Sequence, residues 1–278
     1  MLPNNILESD LYRSLITIKQ EYLPLMQKTI LITGATSGFG KACAHAFATN
    51  HHRLILTGRR ADRLEKEAAI LREKYNIEVL TLNFDVRERE AVKHAVESIP
   101  EEWRNIDILI NNAGLAAGSD PIQDGNMDDW EQMIDTNVKG LLYVTKNVFP
   151  LLLQSKCPHI VNIGSIAGKQ VYAKGNVYCA TKFAVDALTQ GMRIDMLSHG
   201  IKVSQVAPGA AETEFSQVRY KGDIVAASEV YKGYKPLQAE DIANAVTWIT
   251  SLPSHVNIND LVIMPTAQAM PGYLHKTL

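Results

Sequence analysis

Short apolar runs and longer amphipathic segments alternate along most of this chain. An uninterrupted apolar run of roughly four to eight residues is typical of a strand buried on both faces, whereas apolar residues spaced three and four apart are typical of a helix. By this pattern the predicted strands lie at 29–32, 53–57, 78–82, 106–110, 159–163, 201–206 and 261–264. The predicted helices lie at 41–48, 61–75, 87–99, 129–136, 138–154, 177–198 and 240–250.

This alternation predicts an α/β fold. Strands joined by crossover helices form a parallel sheet, here of about seven strands, with helices on both faces. Right-handed crossovers make it a doubly wound, Rossmann-type sheet. Since no linker divides the chain, we predict a single domain over 28–278, with a lid formed by the less regular stretch at about 209–236. Residues 1–27 are predicted to be an N-terminal extension, either disordered or helical.

Composition and charge narrow the class of protein. A formal net charge of -2, with 46% hydrophobic and 21% charged residues, is typical of a globular protein and favours neither a nucleic-acid nor a membrane partner. The three cysteines, Cys43, Cys157 and Cys179, lack the spacing of a disulfide framework or a metal site. We therefore expect no metal and a reducing compartment, the cytoplasm.

A glycine-rich turn, residues 33–40, joins the first predicted strand to the first helix. The first N–H groups of a helix lack partners and carry partial positive charge, so a pyrophosphate can bind there if no side chain blocks it. Glycines leave that approach open, and hydroxyl side chains add donors. An ordinary tight turn is the alternative. The candidate cofactor-binding residues in this turn are Gly34, Thr36, Ser37, Gly38, Phe39 and Gly40.

The end of the second strand indicates which dinucleotide is bound. Arg59 and Arg60 lie about 20 residues after the glycines, where an acid would bind a ribose 2′-hydroxyl and an arginine accommodates a 2′-phosphate. No Asp or Glu lies between Leu54 and Arg60, so NADP is favoured over NAD. A solvated basic pair at the start of a helix is the alternative.

The next two strand ends add candidates for the cofactor site. Asp85 and Val86 follow the third strand, where the carboxylate is placed to accept from the adenine amino group. Asp85 is almost as well placed to cap the helix predicted from residue 87. Asn112 and Gly114 follow the fourth strand, where small residues would let the backbone approach a ribose, or would simply form a turn.

Three residues carry the catalytic interpretation: Ser165, Tyr178 and Lys182. Tyr178 and Lys182 are four residues apart at the start of a predicted helix, so they share one face. A tyrosine with a pKa near 10 is a poor acid–base group at neutral pH, and a nearby ammonium would lower that pKa. The phenol could then exchange a proton with a substrate oxygen that Ser165 also binds. A pair at this spacing is common on ordinary helices, so the rest of the chain must support it.

Together, these motifs resemble the short-chain dehydrogenase/reductase family over residues 28 to about 265. They are Thr33-Gly-x-x-x-Gly38-x-Gly40, Asn111-Asn112-Ala113-Gly114, Asn137, Ser165, Tyr178-x-x-x-Lys182 and Pro208-Gly209-x-x-x-Thr213. The resemblance implies that Asn137 is a fourth catalytic residue, which helps hold a proton-relay water near Lys182. It also implies that Tyr178 and Lys182 contact the cofactor, with Lys182 on the nicotinamide ribose, and that Pro208, Gly209 and Thr213 contact its nicotinamide end.

Further segments are similar to a subgroup of NADP-dependent 3-hydroxy acid dehydrogenases. They are Gly58-Arg59-Arg60, Asn176-Val177-Tyr178, residues 213–223 and residues 252–259. The resemblance implies a cytoplasmic homotetramer that oxidises serine, L-allo-threonine and related 3-hydroxy acids, and reduces malonic semialdehyde. It implies that Ser165 and Tyr178 bind this small-molecule substrate.

The predicted lid supplies a candidate for recognising the substrate's acid group. Arg219 is suited to bind a carboxylate through two hydrogen bonds, although a solvent-facing arginine is an equal alternative. Two other functions stay open: a reductase of bulkier ketones or acyl thioesters, and a non-catalytic NADP-sensing protein. The first would need a more apolar lid, and the second predicts the loss of Tyr178 or Lys182.

Overall fold

The computed structural model describes residues 27–277 of the chain. Its main strands are β1 (Thr29–Ile32), β2 (Arg53–Gly58), β3 (Val79–Asn83), β4 (Ile108–Asn111), β5 (His159–Ile163), β6 (Lys202–Pro208) and β7 (Asp260–Ile263). They form one parallel sheet in the order β3-β2-β1-β4-β5-β6-β7. The order reverses between β1 and β4, as in a doubly wound sheet, so the predicted fold class is confirmed.

Helices connect these strands on both faces of the sheet. They are α1 (Gly38–Thr49), α2 (Ala61–Tyr75), α3 (Arg89–Glu97), α4 (Met127–Ile134), α5 (Leu141–Leu152), α6 (Asn176–Asp195), α7 (Glu214–Arg219), α8 (Ile224–Glu229) and α9 (Ala239–Ser251). The prediction of separate helices at 129–136 and 138–154 is wrong. A π-helical segment, Asp135–Gly140, joins α4 to α5. The backbone angle φ stays near -60° at both ends of this segment, so the helix continues without a break.

Alternation along β1 divides the core into two layers. Ile30 and Ile32 are fully buried with residues of α1, α2 and α9, and Phe47 packs in the same layer. Leu31 points to the other face, where it is buried with residues of α3, α5 and α6, Val148 among them. Successive strand residues face opposite sides, so a strand covered by helices on both faces has to be apolar at every position.

The predicted N-terminal extension and the predicted lid lie at the margins of the fold. The N-terminal extension falls outside the described residues, apart from Gln27. The stretch 209–236 contains the short helices α7 and α8, and its role as a lid stays a prediction. After β7 a small antiparallel pair, β8 (Gln268–Met270) and β9 (Tyr273–Leu274), was not predicted because strands this short leave no pattern. No helix within 27–277 is long and apolar enough to cross a membrane.

A buried histidine begins β5, at the end of the sheet away from the carboxyl ends of the strands. His159 is 1% exposed, and its Nε2 lies 2.8 Å from the hydroxyl oxygen of Ser204. Burial, together with the positive charges of Lys202 and Lys28, lowers the pKa of His159 to about 3. The protonated imidazolium is therefore unfavourable in the folded protein, whereas in the unfolded chain it forms near pH 6.5.

Acid should therefore destabilise the protein through His159. Between pH 6.5 and about 3 the unfolded chain binds the extra proton, so stability is lost as the pH falls below 6.5. We expect about 2 kcal/mol of unfolding free energy to be lost through this group between pH 7 and pH 5. Urea unfolding at both pH values, with His159→Gln as the comparison, measures it. Equal losses in both proteins would contradict the assignment.

Candidate active site

A cleft of about 480 Å³ crosses the carboxyl ends of the strands. It is lined by every cofactor candidate of the sequence analysis except Gly40, and also by Ser165 and Arg219. The fourth catalytic candidate, Asn137, is buried behind the cleft and is not part of its lining. The topology thus brings residues from turns more than 180 positions apart to one site, at the edge where parallel strands bind ligands.

The glycine turn (residues 33–40) is held against the end of β4. Thr33 Oγ1 accepts hydrogen bonds from the backbone N–H groups of Asn112 and Ala113, both at 2.9 Å. The Asn112 side chain donates back to the carbonyls of Thr33 (2.8 Å) and Gly34 (3.2 Å). The sequence predicts Asn112 as a cofactor-binding residue. In the structure its side-chain amide also holds the glycine turn in place.

Two glycines of this turn have backbone angles that disfavour a side chain. The φ values are +67° at Gly34 and +51° at Gly38. A Cβ at Gly40 would collide with the Asn112 side chain and the Gly34 carbonyl, so Gly40 allows α1 to pack on the turn. Ser37 precedes α1 without a side-chain hydrogen bond to its first turn. The helix N-terminus is therefore open to an anion such as a pyrophosphate.

An arginine cluster, Arg59, Arg60 and Arg63, lies at one end of the cleft. Arg60 donates to the hydroxyls of Thr36 (2.8 Å) and Ser37 (3.1 Å), which links it to the glycine turn. Arg60 (3.4 Å) and Arg63 (3.2 Å) also contact the Glu214 carboxylate, which belongs to α7. Hydroxyls and guanidinium groups converge at this point, and they are suited to bind a phosphate group.

Asp85 lies next to this cluster and is held by Arg87. The guanidinium of Arg87 donates to both carboxylate oxygens, with Nη2 at 2.7 Å, and the Arg87 backbone N–H donates at 3.0 Å. Partial burial would raise the pKa of Asp85, but Arg87 and Arg59 outweigh this and hold the pKa below its usual value. The capping alternative is wrong, because α3 begins at Arg89 with Glu88 as its cap. Contact with adenine stays a prediction.

Tyr178 and Lys182 lie on the first turns of α6, and both side chains are buried. The ammonium of Lys182 donates to the carbonyl of Ile163 at 2.9 Å, which ties α6 to the end of β5. Ser165 follows β5 and accepts a hydrogen bond from the Ala167 N–H at 3.0 Å. The cleft therefore brings together the three catalytic candidates that the spacing suggested.

Asn137 supports this group from the π-helical segment. Its side-chain oxygen accepts from the Leu115 N–H at 2.8 Å, and its amide nitrogen donates to the Leu115 carbonyl (2.8 Å) and the Thr181 hydroxyl (3.0 Å). These contacts connect the segment after β4 to α6, next to Lys182. The water-relay role that the resemblance implies for Asn137 stays a prediction.

The electrostatics of Tyr178 differ from the expectation that Lys182 lowers its pKa. Burial raises the pKa of Tyr178 and Tyr172 adds to this, whereas Ser165 and Arg219 act in the opposite direction. Lys182 is not among the main influences on this pKa, and burial lowers the pKa of Lys182 itself to about 8. The physical reason is that the tyrosine is largely buried, while the Lys182 ammonium is bound to the Ile163 carbonyl.

Arg219 lies over the tyrosine rings at the other end of the cleft. Its guanidinium carbon is 5.9 Å from the ring centroid of Tyr178 and 5.5 Å from that of Tyr172. Nη1 donates to the Tyr172 hydroxyl at 2.8 Å, and Nε donates to the Gly118 carbonyl at 3.3 Å. The alternative of a solvent-facing arginine is therefore wrong, since the group is partly buried beside the catalytic candidates.

Sequence reasoning missed several residues of the site. Arg63 lies one helical turn after Arg60, and this spacing could have indicated it. The roles of Arg87 and Tyr172 appear only in their contacts with Asp85 and Arg219. Gln268, which accepts from the Ala210 N–H at 2.8 Å, comes from β8 and has no sequence signal. Within 27–277 no group of three or more His, Cys, Asp or Glu side chains could hold a metal ion.

Fold and site together define a doubly wound dinucleotide-binding protein whose cleft contains the candidate residues Ser165, Tyr178 and Lys182. The family model described as short chain dehydrogenase matches residues 28–223. The chain belongs to the short-chain dehydrogenase family, and the family resemblance drawn from the motifs is confirmed.

Individual relatives cover nearly the whole described chain. An NADP-dependent 3-hydroxy acid dehydrogenase of Salmonella typhi is 45% identical over 244 residues, which are 87% of this chain and 97% of the relative. A sulfoacetaldehyde reductase of Chromohalobacter salexigens is 45% identical over 249 residues, 89% of this chain and 98% of the relative. A closed serine dehydrogenase structure complexed with NADP+ is 43% identical with a TM-score of 0.83, and covers 89% and 99% of the two chains.

Proposed function

We propose that this protein is an NADP-dependent oxidoreductase that interconverts short 3-hydroxy acids and the corresponding 3-oxo acids. Serine, L-allo-threonine and 3-hydroxypropionate, which gives malonic semialdehyde, are the proposed substrates. The observation that carries the proposal is the position of Arg219, whose guanidinium lies 5.9 Å from the ring centroid of Tyr178. An acid group bound by that guanidinium would bring a carbon two bonds away close to the phenol.

The glycine turn and the arginine cluster support the choice of NADP. The open N-terminus of α1 suits the pyrophosphate, and the cluster that includes Arg59 and Arg60 suits the 2′-phosphate. A phosphate monoester carries a charge of about -1.5 to -2 at neutral pH and forms strong hydrogen bonds to guanidinium groups. The Salmonella typhi relative is named as NADP-dependent, which agrees with this arrangement.

Tyr178, Ser165 and Lys182 have different roles in the proposed proton transfer. When bound, the cofactor supplies the hydride acceptor for oxidation and the hydride for reduction. Tyr178 exchanges the proton at the substrate oxygen, and Ser165 binds that same oxygen. Lys182, held by the Ile163 carbonyl, keeps a buried positive charge on the same helix face. Since burial raises the pKa of Tyr178, its phenol is neutral at pH 7, the form that donates a proton during reduction.

A second candidate function is the reduction of short sulfonated aldehydes. A guanidinium binds a sulfonate through the same pair of N–H groups as a carboxylate. The relative from Chromohalobacter salexigens, equal in identity to the hydroxy acid dehydrogenase, is a sulfoacetaldehyde reductase. Both candidates use Arg219 in the same way, and they differ only in the acid group of the substrate.

We also propose that the protein is a cytoplasmic homotetramer. The described surface exposes large apolar side chains on α6 (Phe183 and Ile194), on α9 (Trp248) and on β7 (Val262). Apolar groups exposed on helices of both faces of the sheet and on its edge strand favour contacts between copies of a chain. All three cysteines are free thiols, which agrees with a reducing compartment.

Removing the phenol hydroxyl tests the reaction itself. We expect purified protein to form NADPH from NADP with L-serine, L-allo-threonine or 3-hydroxypropionate, and Tyr178→Phe to lower kcat by about 100-fold to 10,000-fold. Oxidation should become faster from pH 6 to pH 8, because it needs the deprotonated phenol, and the increase should end above pH 8, where Lys182 loses its charge. Turnover of sulfoacetaldehyde with NADPH tests the second candidate. Equal turnover by Tyr178→Phe would contradict the assigned role.

The arginine cluster should discriminate between the two dinucleotides. Arg60→Ala removes charge-assisted hydrogen bonds, so we expect the Kd for NADP to rise about 10-fold to 100-fold, while the Kd for NAD changes by less than about twofold. Titration calorimetry measures both constants. Arg89→Ala, which removes an exposed arginine paired with Glu90, is the control. An equal effect on NAD and NADP would show that Arg60 does not bind the 2′-phosphate.

Arg219 should determine affinity for the acid group of the substrate. Arg219→Ala should raise KM for 3-hydroxypropionate about 10-fold to 100-fold, the value of a lost hydrogen bond to a charged group. The matched substrate 1,3-propanediol lacks the carboxylate, so its KM should stay within about twofold. Initial-rate kinetics on both substrates measure the effect. An unchanged KM for 3-hydroxypropionate would remove Arg219 from the proposal.

A further inference from the structure

The short loop that carries Ser165, residues 164–169, is fixed at both of its ends. At its start, the Gly164 N–H donates to the Val206 carbonyl of β6 at 2.8 Å. At its end, the ammonium of Lys169 lies 2.6 Å from Asp186 Oδ1 and 2.8 Å from Asp260 Oδ2. A loop held at both ends has little freedom to move the hydroxyl it carries.

The Asp186 carboxylate connects this loop to the catalytic helix. Asp186 follows Lys182 by four residues and Tyr178 by eight on α6, so the three side chains lie along one side of that helix. The pair between Lys169 and Asp186 therefore joins the Ser165 loop to the helix that carries the phenol. Both side chains are only about one-fifth exposed, at 22% and 20%.

Gln205 on β6 is a third side chain that links the Ser165 loop to Asp186 and Asp260. Its amide nitrogen donates to Asp186 Oδ1 at 3.0 Å and to Asp260 Oδ1 at 3.2 Å. The same side chain lies against Gly164, where an added Cβ would be 2.8 Å from Gln205 Cδ. One residue thus contacts the start of the Ser165 loop and both of the carboxylates that hold the end of the loop.

Gly168, next to the end of the loop, packs against the backbone of Lys182. A Cβ at Gly168 would lie 2.5 Å from the Lys182 carbonyl oxygen, so only glycine allows the loop to pack this closely on α6. The distance between Ser165 and the residues of α6 therefore depends on how the loop is pressed against the helix. The Lys169 contacts with Asp186 and Asp260 hold the loop in this position.

A row of polar residues extends this unit across the sheet. Asn111, Asn162, Gln205 and Asp260 are partners in register on β4, β5, β6 and β7. Asn111 donates to Asn162 at 2.9 Å, and Asn162 donates to Thr189 of α6 at 2.9 Å. Polar side chains at aligned positions inside a parallel sheet are costly unless hydrogen-bonded, and here their bonds lead to α6.

We propose that Lys169 is a positioning residue which, through Asp186, Asp260 and Gln205, fixes the Ser165 hydroxyl relative to Tyr178 and Lys182. The inference rests on the proposed oxidoreductase function of the same site. Without the Lys169 charge, Asp186 and Asp260 would repel each other, and the end of the loop would lose its attachment to α6. A misplacement of about 1 Å at a catalytic group can reduce the rate about 100-fold.

The test compares Lys169→Met, which keeps the length of the side chain, with Lys169→Arg, which keeps the charge. We expect Lys169→Met to lower kcat about 10-fold to 100-fold, with the Kd for NADP unchanged, and Lys169→Arg to restore most of the activity. In a Ser165→Ala background, Lys169→Met should change kcat by less than about twofold, because the group it positions is already absent. Equal losses of kcat in both backgrounds would overturn the proposal.

A matched control separates positioning from general loss of stability. Lys202 is a buried lysine whose ammonium donates to the carbonyls of Leu252 (3.3 Å) and Val256 (3.4 Å), near the other end of the sheet. Lys202→Met should lower the free energy of unfolding and leave kcat unchanged. If Lys202→Met and Lys169→Met lowered kcat equally, the effect of Lys169 would be one of stability alone, and the proposal would fail.

A structural measurement keeps the inference independent of the substrate assignment. A crystal structure of Lys169→Met should show Ser165 Oγ displaced by about 1 Å relative to Tyr178, whatever the substrate is. An unmoved Ser165 would overturn the positioning role. Failure of the proposed function would appear differently, as a wild-type protein that does not turn over any of the hydroxy acids or the sulfonated aldehyde.

Discussion

The attachment of the glycine turn to the end of β4 is the interaction on which the cleft depends. Thr33 and Asn112 exchange hydrogen bonds of 2.8–2.9 Å at the point where the strand order reverses. This reversal opens a crevice between the two halves of the sheet. The hydrogen bonds fix the distance between the glycine turn and the segment after β4, which form the two sides of the crevice. The open N-terminus of α1 and the arginine cluster take their positions from the same turn, since Arg60 donates to Thr36 and Ser37.

Charge is distributed unequally along the cleft. One end holds the arginine cluster, and the other holds Arg219, with the buried tyrosine and lysine near it. Such a distribution suits two anionic ligands, one bound at the arginine cluster and the other at Arg219, whose reacting atoms meet near Tyr178. The α7 segment takes part at both ends, because Glu214 contacts the arginine cluster and Arg219 lies over the rings. A movement of α7 would therefore change the contacts of the arginine cluster and those of Arg219 at the same time.

The helix α6 is the second rigid reference for the site. This helix carries Tyr178 and Lys182, and Lys182 binds the Ile163 carbonyl at the end of β5. Thr189 and Asp186 of the same helix accept hydrogen bonds from the polar side chains of β5 and β6. Hydrogen bonds from three directions keep a buried helix in one orientation, which a reaction between precisely placed atoms requires. Apolar packing alone constrains a helix less strictly, because it allows small shifts and rotations.

The sequence by itself determined the sheet, its doubly wound order, the family and most of the cleft residues. An apolar run such as Ile30-Leu31-Ile32 indicates a strand that is buried on both faces of a sheet. The motifs lie at the ends of such strands, and the topology of a parallel sheet brings those ends together. Only the tertiary structure decided the pairing of Asp85 with Arg87, the raised pKa of Tyr178, the place of Arg219 over the rings and the link from Lys169 to Asp186. Periodicity reports which face a residue occupies, whereas hydrogen-bond partners and desolvation depend on distances across elements that no local pattern encodes.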